Sequence, residues 1–151
     1  MSNRIVSVIY AVIDTNVIVS ALITRRMDSP TIKVLSAIRD GRIKVVCSRD
    51  ILNEYREVLS RGKFHLSTAR VEQTISTLVE NALFLEPVAS GEEFSDETDR
   101  VFYEIALAGS EDRTRLVTGN LRHYPISPIV VTPAQMVAIL ATMSDLENHS
   151  P

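Results

Sequence analysis

An α/β fold is predicted: a single-domain, three-layer α/β/α arrangement around a parallel sheet of four to five strands. Three observations predict it. Short Val/Ile-rich runs alternate with stretches of helical periodicity. The first run, residues 5–13, carries apolar residues at both parities, as a strand buried on both faces does. No repeat, low-complexity tract or linker divides the 151 residues, a length that buries most of its apolar surface around one core. The domain is assigned to residues 1–142 and a flexible C-terminal tail to 143–151.

The further strands are expected at "IKVVC" (43–47), "LFLEPV" (83–88), "RLVT" (115–118) and "IVV" (129–131). Ser29-Pro30 opens a helix as N-cap and N1, with Ile32, Leu35 and Ile38 on one face before Gly41. Ser48 caps a second, carrying Ile51, Leu52, Tyr55, Val58 and Leu59. Ser67 caps a third, in which Val71, Ile75, Leu78, Val79 and Ala82 make an apolar stripe. Asp96 or Ser95 caps a fourth through Phe102, Ile105 and Ala106, closed by Gly109. Thr132-Pro133 starts the last, through Met136 and Leu140, and "SGEEFSD" (90–96) reads as a polar surface loop.

Composition narrows the function. With 45% hydrophobic residues the chain is an ordinary globular one. A formal net charge of -3 gives no global attraction for nucleic acid or anionic lipid, so an RNA partner would need local basic residues or a bound cation. The single Cys47 excludes an intramolecular disulfide and a Cys-based zinc site, and fits a reducing cytoplasm. The stretch "IVSVIYAVIDTNVIVSALI" (5–23) is nearly long enough to span a bilayer, but Asp14 at its centre costs roughly 2.5–3.5 kcal/mol on insertion scales, and Asn16 adds to that. Residues 1–13 lack a small-residue cleavage site and run straight into a polar turn, so neither a membrane span nor a signal peptide is expected.

Asp14 is the anomaly, because an unpaired carboxylate among apolar neighbours costs several kcal/mol. In an open parallel sheet, ligands bind beyond the carboxyl ends of the strands. Asp14 stands just past the first strand, Glu54 two turns into the helix after the second, Asp99 at the start of the fourth helix, and Asn120 after the fourth strand. Four oxygen-bearing side chains can thus meet at one edge of the sheet. Clustered carboxylates call for protons or a cation. Hard oxygen donors without Cys or clustered His suit Mg²⁺ or Mn²⁺, and such an ion points to phosphodiester chemistry. Each residue has a structural reading too. Glu54 suits a solvated helix face, Asp99 complements a helix dipole or pairs with Asp96 in capping, and Asn120 after Gly119 suits a turn.

The order of these segments resembles the PIN-domain ribonucleases, and within them the small prokaryotic proteins described as toxin components of toxin–antitoxin pairs. "VIDTNVIVSALI", "CSRDILNEYREVLSR", "DETDRVFYEIALAG", "RLVTGNLRHYP" and "VVTPAQMVAIL" carry the likeness, from about Val6 to Leu140. The resemblance implies a Mg²⁺- or Mn²⁺-dependent endoribonuclease, often dimeric and inhibited by a cognate antitoxin protein. Asp14, Glu54 and Asp99 would bind metal and activate water, with Asn120 a weaker ligand. Asn16 would hydrogen-bond the acidic cluster, with Thr118 supporting it. Asn120 departs from the Asp that many members carry, which removes one negative charge. Arg25, Arg26 and Arg122 are candidate phosphate contacts. His123 is read as a surface residue of a Pro-ended loop.

Two rival classes follow. One is a catalytically weak or inactive PIN-like module that binds RNA or a protein partner, favoured by Asn120 and the negative charge. The other is an Asp-nucleophile phosphohydrolase, disfavoured because Asn16 replaces the second Asp of an Asp-x-Asp motif. No Gly-x-Gly-x-x-Gly or Walker-type loop is present.

Overall fold

Strand β1 (Ile9–Ile13) is the middle strand of a five-stranded sheet in the order β3-β2-β1-β4-β5, where β2 is Ile43–Cys47, β3 Leu83–Phe84, β4 Arg115–Val117 and β5 Val130–Val131. This is a computed structural model, and it describes residues 7–148. Every pairing is parallel. Parallel neighbours need long crossovers. These are supplied by α1 (Thr15–Ile23) and α2 (Pro30–Arg39), then α3 (Arg49–Leu59) and α4 (Thr68–Val79), then α5 (Glu97–Ala108). A short 3-10 turn at Leu121–His123 leads to β5, and α6 (Pro133–Asn148) follows. The six helices flank the sheet, with α5 lying across β1, β2 and β4 and against α3. The expected α/β fold with a parallel sheet is the one observed.

The two-sided burial of β1 explains its apolar run. Ala11, Val12 and Ile13 have no exposed surface. Residues 5 and 6 of the expected strand lie outside the described residues. Strand β3 is shorter than the expected 83–88. Its ladder with β2 stops at Cys47↔Phe84, and only the Leu85 N–H reaches on to the Cys47 carbonyl before Pro87, which has no N–H to offer.

Helix starts follow the expected chemistry. Ser29, Ser48 and Ser67 accept the N–H groups of Thr31, Ile51 and Arg70 at 3.3, 3.2 and 3.1 Å. Asp96, not Ser95, caps α5 by accepting the Thr98 N–H at 2.8 Å. Thr132 and Gln135 bond reciprocally at 3.1 and 2.8 Å, a capping box for α6. Each such cap contributes about 1 kcal/mol.

One expectation is corrected, and one element runs further than expected. The Asp-Thr-Asn "turn" is the beginning of α1: Asp14 is its N-cap in extended geometry, and Thr15 and Asn16 already lie in the helix. Its apolar residues cover most of the circumference and leave only the narrow stripe of Asn16 and Ser20, so periodicity alone hardly separates this segment from a buried strand. The tail expected at 143–151 is helical as far as Asn148, continuing α6; residues 149–151 lie outside the described residues. Among the described residues no helix is long and apolar enough to cross a membrane.

One buried contact steadies the end of β1. The β1–β2 ladder stops at Ala11↔Val45. Beyond it the Tyr55 hydroxyl, on α3, donates to the Ile13 carbonyl, and its ring is fully buried. Removing a partner from a buried carbonyl costs about 1–3 kcal/mol. Tyr55→Phe is therefore expected to lower unfolding stability by that amount with the fold intact. Urea denaturation followed by circular dichroism checks this, and an unchanged midpoint would show the bond to be energetically idle.

Candidate active site

The strand order reverses between β1 and β4, and the crevice beyond the carboxyl ends of two such strands is where open α/β sheets bind ligands. The Asp14 N–H donates to the Val117 carbonyl at 2.9 Å, so the ends of β1 and β4 are fastened side by side. Strand β1 thereby delivers Asp14 to this crevice, and β4 delivers Thr118.

Asp14 is 6% exposed. As an N-cap it would ordinarily accept an N–H of its own helix, but its side chain makes no cap bond. Instead its Oδ2 accepts the Thr118 hydroxyl at 2.8 Å and the Tyr124 hydroxyl at 3.0 Å. Thr118 is itself fully buried, and its Oγ1 accepts the Asn120 N–H at 3.0 Å. Two hydroxyl donors and the positive end of α1 are what make a buried carboxylate tolerable here.

Asp99, in the first turn of α5, is drawn to the same point. Its Oδ1 lies 3.2 Å from the Tyr124 hydroxyl and its Oδ2 3.4 Å from His123 Nδ1. Burial raises its pKa first, and the charges of Asp14 and Asp96 raise it further, against the opposing pull of His123 and Tyr124. Glu54 on α3 is raised by burial, then by Glu57, with Arg61 opposing and Asp96 and Asp14 adding. It lines a small cleft between α3 and α5 with Asp50, Glu97 and Phe102. Asp14, Glu54 and Asp99 therefore share one electrostatic neighbourhood, in which Asp96 is a fourth charge.

The remaining candidates divide. Asn120 turns its amide to His123, with Nδ2 3.1 Å from the ring Nε2. A proton on His123 Nδ1 serves both this contact and the one to Asp99. Asn16 does not bond an acidic side chain; on the exposed side of the first turn of α1, its Oδ1 accepts the Gly119 N–H at 3.3 Å and pins the loop after β4. Arg122 is exposed beside His123. Arg25 and Arg26 are exposed beyond the far end of α1, roughly 15 Å from Asp14 at about 1.5 Å per residue. The pair Arg26–Asp28, at 4.0 Å and largely exposed, adds little stability.

The donor set is one of hard oxygens, as Mg²⁺ or Mn²⁺ requires. Among the described residues, no three His, Cys, Asp or Glu side chains stand close enough together to hold an ion. Two carboxylates do converge, joined through one hydroxyl. That arrangement fits a Mg²⁺ that keeps most of its waters and takes one or two protein carboxylates, and it does not fit an all-protein cage.

Sequence reasoning missed Tyr124 and took His123 for a surface residue only. A tyrosine before a proline in a loop gives no periodic signal, and neither residue belongs to an acidic motif. Phe94, in the loop read as polar, packs its ring against Tyr124 (centroids 6.3 Å apart, edge-on) and Tyr103 (5.7 Å). Asp96 was legible only as a cap.

Comparison with known protein families gives one match: the model described as PIN domain covers residues 10–122. No curated protein and no solved structure matches the chain.

The raised carboxyls make a pH prediction. A carboxyl whose pKa is higher in the folded chain than in the unfolded one destabilises the fold once ionised. That penalty is absent below the ordinary carboxylate range and complete above the raised folded value. In EDTA, Asp99→Asn is therefore expected to melt a few degrees above the parent at pH 7. Its advantage should shrink as the pH falls through the raised range of Asp99 and vanish below the ordinary one. Thermal melts across pH test this; a variant less stable than the parent at pH 7 would show that the Tyr124 and His123 contacts outweigh the burial of the charge and its repulsion by Asp14 and Asp96.

Proposed function

Since the chain belongs to the PIN-domain family, whose members are nucleases that typically bind divalent metals, we propose that it is a metal-dependent endoribonuclease hydrolysing RNA phosphodiester bonds, acting as the toxin of a toxin–antitoxin pair. The observation that carries this reading is the convergence of Asp14 and Asp99 on one hydroxyl at the β1–β4 crevice. RNA as substrate, a cognate antitoxin protein as inhibitor, a homodimer as the assembly and the cytoplasm as the site of action belong to the same reading.

Asp14 and Asp99 would hold Mg²⁺ or Mn²⁺, with Glu54 and Asn120 as the further candidates. Such an ion, when bound, polarises a phosphoryl oxygen and lowers the pKa of a water. The chain's own groups supply position. Thr118 and Tyr124 fix Asp14 Oδ2, and Asn16 holds the loop that carries Asn120. His123, half exposed beside Asp99, and Arg122, exposed next to it in the chain, would meet a phosphate at the rim. Arg25 and Arg26 are too far from Asp14 for the scissile phosphate and suit only a flanking one.

A second reading has an observation in its favour. Asn120 is neutral and turned to His123, and no three-ligand cluster stands among the described residues. Both suit a catalytically weak PIN-like module that holds RNA or a protein partner.

Purified protein with end-labelled RNA separates the two. Cleavage is expected with Mn²⁺ or Mg²⁺, abolished by EDTA and by Asp14→Asn. A variant that cuts as fast as the parent would sink the assignment of the site. RNA binding without cleavage under either metal would establish the module reading.

A further inference from the structure

Tyr124 is the one group among the described residues that bonds both Asp14 and Asp99. Thr118 reaches only Asp14, and His123 only Asp99. The ring cannot swing away easily: the residue is 6% exposed, Phe94 lies edge-on against it, and its N–H donates to the Leu121 carbonyl at 3.1 Å. The hydroxyl therefore sits at a point set by packing, and the two carboxylates are registered to it.

The distribution of bonds over the carboxylate oxygens is uneven. Asp14 Oδ2 takes both hydroxyls, and none of the described residues donates to Oδ1. On Asp99, Oδ1 faces Tyr124 while Oδ2 faces the half-exposed His123. A hydroxyl has one proton, so it cannot fully satisfy both acceptors at once. Its proton goes to one carboxylate at a time, while Thr118 serves Asp14 and His123 faces Asp99.

We propose that Tyr124 is a positioning residue whose hydroxyl sets the spacing of Asp14 and Asp99 by holding Oδ2 of the first and Oδ1 of the second, leaving Asp14 Oδ1 to receive a divalent cation together with Asp99 Oδ2, which the half-exposed His123 would yield to it. The proposal rests on the metal-site reading above and deepens it. Groups that orient ligating carboxylates by hydrogen bonds act in this way at metal sites generally, and losing one typically lowers metal affinity about 10–100-fold.

The chain has no tryptophan and four tyrosines, so its near-ultraviolet spectrum and fluorescence report tyrosine directly. Mg²⁺ and Mn²⁺ are titrated calorimetrically into EDTA-stripped parent, Tyr124→Phe and Asp14→Asn, and Mg²⁺ difference spectra are recorded on each. The phenylalanine keeps the ring and removes only the hydroxyl. Expected are loss of binding in Asp14→Asn and affinity lowered roughly 10–100-fold in Tyr124→Phe at an unchanged circular dichroism spectrum. The parent's tyrosine difference signal should be absent from Tyr124→Phe. If Asp14→Asn binds metal like the parent, the metal-site reading itself fails. If Asp14→Asn loses binding but Tyr124→Phe binds as tightly as the parent, that reading stands and the role of Tyr124 is overturned. Should Tyr124→Phe not fold, the parent decides alone: saturating Mg²⁺ without any tyrosine spectral change overturns the proposal.

Discussion

Asp14 Oδ2 accepts one hydroxyl from the end of β4 and another from the loop beyond it, and the placement of the acidic residues follows from that pair of bonds. Burying an ionised carboxylate unpaired is far more costly than any single contact in this fold returns. Bonds to a charged acceptor contribute about 1.5–3 kcal/mol each, and the first turn of α1 adds the favourable field of its N–H groups. Both donors must therefore be held rigidly. Thr118 is held because Leu116 and Val117 of β4 sit at zero exposure beside β1. Tyr124 is held because Phe94 folds in from a loop otherwise made of polar residues. The carboxylate is affordable only where the two halves of the sheet meet.

The same packing concentrates negative charge that the chain does not neutralise. Burial first, and then Asp14 and Asp96 among the neighbouring charges, raise Asp99 and Glu54, and the only described basic side chain within ion-pair distance of Asp99 is His123. Asn120 in place of an acid relieves part of this repulsion, and its amide joins His123 rather than the carboxylates. The result is a crevice with two converging carboxylates, a third nearby on α3 and a polar rim. A hydrated ion that needs few protein ligands matches it better than one demanding a closed cage.

How much of this the sequence discloses depends on what each residue does locally. Ser29, Ser48, Ser67 and Thr132 are legible because capping is a contact between neighbours in the chain. Asp14 is legible because a charge between two apolar runs has no innocent explanation. Helix α1 is hard to read from periodicity, since Val17, Ile18 and Val19 are all buried and only Asn16 and Ser20 mark a narrow polar stripe. Tyr124 is silent for another reason. Its bonds span 110 and 25 residues of chain, and nothing beside it in sequence announces either partner. Asn16, the second residue of α1, accepts from the Gly119 backbone, a contact 103 residues away that its sequence neighbours do not announce.

Charge also constrains how RNA could be handled. The chain carries a formal charge of -3 and gathers acids at the crevice, while its candidate phosphate contacts lie at the rim or beyond α1. A phosphodiester approaching Asp14 and Asp99 meets repulsion unless a cation already sits between them. A Mg²⁺ held by two carboxylates would in turn leave room for phosphate oxygens. On the reading proposed here, metal and substrate therefore raise each other's affinity, and by the same factor, because binding linkage is reciprocal. An arrangement with fewer protein ligands makes that coupling stronger, since more of the ion's coordination is left for the substrate.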